Sequence, residues 1–351
     1  MMAPGFLLRI VTHCLLVLSL SIFSDAGHAA PHHDDDSRDA VILMYHRFGE
    51  DRWPSTNVRL EQFDAHLDYL AKNGFTVMAL PDILQAFRSG TELPPKTVAI
   101  TVDDAYRSVL LHAWPRLKSR GFPFTLFVSS EPVDQGLGGY LSWDEIRTLA
   151  AEGVTIGHHG HSHSSFLDLG PKKAVADIAT ASARFTAELG QVPNILAYPY
   201  GEYDAAIAAK VEELGFMAAL AQYSGVASAD GNAFEIPRFA LNENYASPSR
   251  FQLITNARAL PVTGLVPSDP RVRDNPPAIG FTVASHVHGL SAMSCFPSHL
   301  DEAARLIRPV EHRIEIRFDK PFPRGRSRIN CTMPGPDGRW YWYGRPFFVV
   351  E

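Results

Sequence analysis

Cysteine is scarce in this chain, with three among 351 residues. Cys14 falls in an apolar run near the N-terminus, so a processed, exported chain keeps only Cys295 and Cys331. That even count suggests one disulfide in the C-terminal part, with two separately buried thiols as the alternative. An excess of positive charge is missing too. Lys and Arg number 32 against 38 Asp and Glu, a net charge of −6 without long basic runs, which argues against a nucleic-acid partner. Long apolar stretches are confined to Ile10–Phe23. This run is shorter than the ~20 residues of a membrane-spanning helix, and no later stretch qualifies, so no transmembrane segment is expected in the mature chain.

What the N-terminus does have is Arg9 before the apolar run and small residues after it, at Ala26, Gly27, Ala29 and Ala30. This reads as a secretory signal peptide over residues 1–29 and an exported, periplasmic or secreted protein. Residues 30–39 are polar and read as an unstructured linker. Hydrophobic content of 46% and charged content of 20% describe an ordinary globular protein, and the length points to two domains.

The stretch Thr97-Val-Ala-Ile-Thr-Val-Asp-Asp104 reads as a short buried strand ending in two adjacent carboxylates. Neighbouring like charges at a buried strand end are costly unless a cation or a proton resolves them. The bland alternative is a helix cap beside a solvated acid. Against it stands a second stretch after a strand, Gly157-His-His-Gly-His-Ser-His163, with four His in six residues. His159 and His163, four apart, have a spacing that converges on one cation, and imidazole with carboxylate suits zinc or a similar transition metal. A third stretch, Leu196-Ala-Tyr-Pro-Tyr-Gly201, also closes a strand.

Between residues 41 and 239, strands alternate with helical segments, including a capping box at Ser142 and Glu145 and a helix from about Ala105 that Pro115 kinks or restarts. Such alternation implies a parallel α/β sheet with right-handed crossovers. With every candidate residue just after a strand, it fits a β/α barrel with its site at the C-terminal face, though an open doubly wound sheet also fits. Residues 263–276 read as a Pro- and Asp-rich linker. Beyond it, Arg313–Phe318, Arg326–Met333 and Arg339–Tyr343 alternate by two, as in a small antiparallel sandwich. Trp340–Tyr343 offers rings that either stack on sugars or pack the core.

Taken in order, Thr-Val-Asp-Asp, Gly-x-His-x-x-x-His and Ala-Tyr-Pro-Tyr-Gly resemble the polysaccharide deacetylases, the NodB homology group or carbohydrate esterase family four. Val41-Ile-Leu-Met-Tyr-His46 and Ile236-Pro-Arg-Phe239 resemble the branch acting on poly-N-acetylglucosamine. The resemblance covers roughly Val41–Leu260 and implies a distorted, incomplete (β/α)-barrel over residues 40–262, with a β-rich domain at 277–351. It implies removal of N-acetyl groups from an N-acetylglucosamine-containing extracellular or cell-wall polysaccharide or oligosaccharide, using a divalent metal, Zn2+ above all, with Ni2+, Co2+ or Fe2+ as alternatives. Asp104, His159 and His163 would be the ligands, Asp103 the general base, Tyr200 the backbone oxyanion donor, and Tyr198, Pro199 and Asn242 substrate contacts. Three positions depart from the pattern: Gly160 replaces a Ser or Thr, Ala197 replaces an Arg that orients the base, and the late Leu-x-His that supplies the general acid has no match. Arg238 is the candidate substitute for the Arg, and His46 for the acid. His286 and His288 are expected to be ordinary residues of the second domain. Two other functions fit the sequence less well: an exported carbohydrate-binding protein on a weakened deacetylase fold, and a metal-dependent hydrolase of small cyclic imides.

Overall fold

The computed structural model describes residues 1–2, 35–308 and 310–350, so the expected signal peptide lies outside the described residues apart from its first two. Strand Asp39–Tyr45 (β1) is buried along its whole length, as are Thr97–Val102 (β2) and Phe124–Val128 (β3). Their near-continuous runs of branched and apolar residues are what a strand covered on both faces needs. Thr155–His158 (β4), Ile195–Ala197 (β5) and Ala218–Leu220 (β6) follow, each parallel to the one before. Leu220 bridges to Ile236, and Phe239–Ala240 (β7) runs parallel to β1 at Leu43 and Met44. The sheet therefore curls most of the way round into an incomplete β/α barrel, as the family resemblance implied, and is not the open doubly wound sheet that the spacing alone also allowed.

The crossover helices carry the local signals expected of them. Helix Leu60–Lys72 (α1) buries Phe63, His66, Leu67 and Leu70 on one face. Pro115 does restart a helix: five residues of π-helix, Val109–Ala113, give way to Trp114–Arg120 (α2) with the proline in its first turn. Trp143–Ala151 (α3) begins at the Ser142/Glu145 capping box, and Phe166–Leu189 (α4) is kinked at Gly170.

After the barrel come two four-stranded sheets. One joins Val262–Val266 (β8), Ile279–Val283 (β9) and Arg313–Ile316 with Leu306–Ile307; the other joins Ser294–Pro297 (β10), Gly325–Pro334 (β11) and Trp340–Val349 (β12) with Arg258–Ala259. The first residues of the expected linker, 263–276, are thus strand. Val262 and Leu265 pack on the sandwich core, and β8 pairs with β9, which accounts for it. Cys295 and Cys331 sit opposite one another in the β10–β11 register and are joined in a disulfide.

Alternation along β11 decides what faces what. Ser327, Ile329, Cys331 and Met333 are buried, Ile329, Cys331 and Met333 in the sandwich core, while Arg326, Arg328 and Asn330 point the other way. On that outer face Trp342 meets Phe239 edge-on at 5.1 Å, and Phe348 meets Tyr203. Gly344 lets the backbones close up, because a Cβ there would stand 1.8 Å from the Ser224 carbonyl oxygen. The aromatic run is mostly packing: Tyr341 is buried, Tyr343 lies against Phe281, and Trp340 alone of the four is well exposed. Among the described residues no helix is long and apolar enough to cross a membrane.

Candidate active site

Asp103 and Asp104 follow β2, with left-handed backbone at Asp104 (φ 74°) and Ala105 (φ 55°) turning the chain over the barrel mouth. His159 follows β4; its Nδ1 donates to the Ala197 carbonyl at 2.7 Å, which leaves Nε2 as the free lone pair. That Nε2 lies 3.4 Å from Asp104 Oδ1, and Nε2 of His163 lies 3.0 Å from the same oxygen. One ligand atom from each residue falls within 4.8 Å of the others. Yet Asp104 Oδ1 is buried without a hydrogen-bond partner, so three lone-pair donors converge on one point. A carboxylate and two imidazoles in that arrangement fit a single divalent transition metal. Burial raises the Asp104 pKa, but His159 and His163 outweigh it and hold the carboxyl well below its usual range.

The four histidines of the tract divide evenly. His158 is packed between Phe185 and Phe216, accepts the Gly160 N–H at Nδ1 and meets Ser182 at Nε2; burial pushes it down to about 3. His161 pairs with Ser130 Oγ at 2.8 Å. The loop between them is fixed from α4 by Asp177, whose carboxylate accepts from the His161 and Ser162 N–H groups at 2.7 and 2.9 Å and from Ser162 Oγ at 2.6 Å. This explains the departure at Gly160. Its φ is +75°, and a Cβ there would stand 2.7 Å from Asp177 Oδ1, so a side chain at this position is strained, and Asp177 supplies the loop's hydrogen bonds.

Asp103 points inward and is gripped by Arg238: Nη1 to Oδ1 at 2.7 Å and Nη2 to Oδ2 at 2.8 Å. Arg238 also donates from Nε to the Ala221 carbonyl and from Nη1 to Thr101 Oγ, and lies over the Phe127 ring. Both residues are buried. Burial raises the Asp103 pKa, but the guanidinium, aided by His159 and His46, brings it below the ordinary carboxylate value.

The other candidates divide. His46, just past β1, is partly exposed and feels the charges of Asp104, Asp103, Arg238 and His159; burial lowers its pKa and the two carboxylates raise it in part. Tyr200 has left-handed backbone (φ 58°), is half exposed, and sets its ring 4.7 Å from that of His163. Tyr198 does not face the site. It is fully buried, stacks on Tyr203 at 4.8 Å and bonds its hydroxyl to the Phe234 carbonyl, because this strand end is covered on both sides. Pro199 is buried beside it. Asn242 spends its side chain on loop structure, donating across to the Ser55 carbonyl and accepting from the Asn244 and Tyr245 N–H groups of its own loop.

His286 and His288 are exposed; His286 lines an apolar cavity of about 560 Å³ with Leu84, Ala227 and Trp342, at the N-terminal end of β1 and away from the metal cluster. Sequence reasoning missed Arg326, which reaches from β11 and donates from Nη1 to the Tyr200 carbonyl. Nothing in the local sequence marks it, since the two residues are 126 positions apart.

Residues 90–219 match the family model described as polysaccharide deacetylase. YxkH of Bacillus subtilis is 26% identical over 197 residues, covering 56% of this chain and 69% of its own. The poly-beta-1,6-N-acetyl-D-glucosamine N-deacetylase of Escherichia coli is 22% identical over 231 residues, 54% of this chain and 34% of its own, so this chain spans about a third of that relative's length. Among solved structures, the Streptococcus pyogenes deacetylase PplD, determined in complex with acetate, superposes with a TM-score of 0.57 at 22% identity, over 62% of this chain and 98% of its own. IcaB from Ammonifex degensii does so with 0.54 at 24%, over 61% and 97%. Likeness at those identities is likeness of fold.

Proposed function

We propose that this chain, whose residues 90–219 match the polysaccharide deacetylase family model, is an amide-cleaving hydrolase that removes N-acetyl groups from an N-acetylglucosamine-containing polysaccharide outside the cytoplasm. The observation that carries this reading is the Arg238–Asp103 pair beside the Asp104, His159 and His163 cluster. A protein that only bound sugar would have no use for a second buried carboxylate held ready by a guanidinium. Export is supported by the signal-like N-terminal sequence and by the disulfide. In this reading the barrel carries the chemistry, and the two sheets that run from Arg258 to Val349 form an accessory β domain.

Asp104, His159 and His163 would hold a divalent ion, Zn2+ by preference. Such an ion supplies Lewis acidity, acidifying water and polarising the amide carbonyl. Asp103 takes the proton of the attacking water. Arg238 uses both its Nη groups on the Asp103 oxygens, which fixes the carboxylate plane and leaves the remaining lone pairs for that proton. The Tyr200 N–H stabilises the oxyanion that develops on the acetyl oxygen, a backbone donor needing no reorganisation. His46 delivers a proton to the departing amine. The signal-like N-terminal sequence gives the cyclic-imide alternative no support.

Acetate release from β-1,6-linked N-acetylglucosamine oligomers and from chitin oligomers, with metal analysis of the same protein, tests this. Turnover with stoichiometric metal is expected. Saturable sugar binding without acetate release would leave the carbohydrate-binding alternative standing.

A further inference from the structure

The sandwich lays the outer face of β11 along the barrel mouth, and that face carries two cations. Arg326 donates to the Tyr200 carbonyl and lies 3.5 Å from Gln222 Oε1, so both of its acceptors are neutral. Arg328, two residues on and therefore on the same face, is partly buried. Its Nε is buried with no hydrogen-bond partner, and its guanidinium enters no ion pair among the described residues. The carboxylate whose charge reaches both is Glu202, which is already bonded to Ser165 Oγ at 2.5 Å. Burial, with repulsion from Arg326, pushes Arg328 down to about 10. Two guanidinium groups on one face, neither of them ion-paired with Glu202, form an arrangement that a bound oxyanion relieves, and the planar fork of Arg suits it to bidentate contact. Through Tyr200, whose ring touches that of His163, this face adjoins the metal cluster.

We propose that Arg326 and Arg328 form an anion-recognising subsite beside the reaction centre, which takes a carboxylate-bearing sugar of the same polysaccharide chain. The C-terminal sheet is then a wall of the substrate cleft that selects among N-acetylated polymers by charge. This deepens the deacetylase reading and rests on it for the reaction, but not for the binding.

The test uses the full-length metal-loaded protein and sugars that cannot turn over: β-linked oligomers of equal length without N-acetyl groups, one neutral, one with a carboxylate on alternate sugars and one with a phosphate ester there. At low salt the carboxylated oligomer is expected to bind roughly fivefold to tenfold more tightly than the neutral one, a preference that shrinks as salt is added. Arg328→Gln should erase the preference and Arg328→Lys keep part of it. Arg328 is the informative position because Arg326 also supports Tyr200. Equal affinity for neutral and carboxylated oligomers, a preference that survives Arg328→Gln, or one confined to the phosphate ester overturns the proposal. If the charge preference persists in a protein that releases no acetate from any N-acetylated oligomer, the deacetylase reading fails while the subsite stands.

Discussion

Arg238 grips Asp103 through two parallel N–H···O contacts across 135 positions of sequence. The guanidinium enters from the residue just before β7, not from a strand's C-terminal end as its place in Ile236-Pro-Arg-Phe239 suggested, whereas the resemblance puts an Arg at the position held here by Ala197. The same contact is reached from another strand.

That relationship gives the first prediction. Arg238→Gln should retain the metal but lower kcat for acetate release ~10²-fold, with Arg238→Lys intermediate because a single ammonium cannot reproduce the fork. Breaking one side of a buried pair should also cost about 3–5 kcal/mol, read from urea unfolding. An unaltered kcat in a folded Arg238→Gln protein would remove Arg238 from the mechanism.

Asp103→Asn separates base from ligand. Metal content should stay stoichiometric while turnover falls ~10²–10⁴-fold, the usual contribution of a general base. A rate equal to that of the natural protein would return Asp103 to a structural role.

His159→Ala and His163→Ala should each lose bound metal and acetate release together, because each removes one of three converging donors. Elemental analysis decides it: full occupancy in both variants would sink the three-residue site.

For His46→Ala the expected pattern is selective. Amide substrates, whose amine leaves badly without a proton, should slow ~10²-fold, and activated aryl acetate esters much less, with metal retained. Equal losses on both substrate types would show that His46 is not the acid.

His66 gives a pH-dependent stability. It is buried on α1, donates from Nε2 to the Ala246 carbonyl and accepts the Tyr45 hydroxyl at Nδ1, an arrangement that needs the neutral ring. Burial pushes its pKa down from 6.5 to about 4, with Arg250 adding repulsion. Between those values the unfolded chain binds more protons than the folded one, so stability rises with pH across that window and is lost on acidification through it. The loss is on the order of 3 kcal/mol. Urea midpoints near pH 7 and near pH 5 should differ by more in the natural protein than in His66→Gln; an identical difference would mean that other groups govern the acid transition.

The barrel and the convergence of Asp104, His159 and His163 were legible because each motif stands at a strand end, where sequence and space coincide. Arg238 was legible only through the resemblance carried by Ile236-Pro-Arg-Phe239, since it precedes β7 instead of closing a strand. Tyr198 misled because β5 and the residue after it are buried on both faces, so the alternation that separates core from cleft is missing there. Asn242 misled because its amide serves an Asx turn, a use that residue type alone does not distinguish from ligand contact. Arg326 and Arg328 could not be found, since they meet the site only through the packing of the sandwich on the barrel.

Seven non-glycine residues among those described have left-handed backbone, and four of them, Asp104, Ala105, His163 and Tyr200, surround the metal cluster. Each such residue stores on the order of 1–2 kcal/mol. Selection by melting temperature alone will reward glycine at Ala105 and asparagine at Tyr200, relaxing the loops that aim the ligands. Durability and turnover are therefore opposed at these four positions, and a campaign that wants both has to begin on the outer helices and screen by acetate release from the first round.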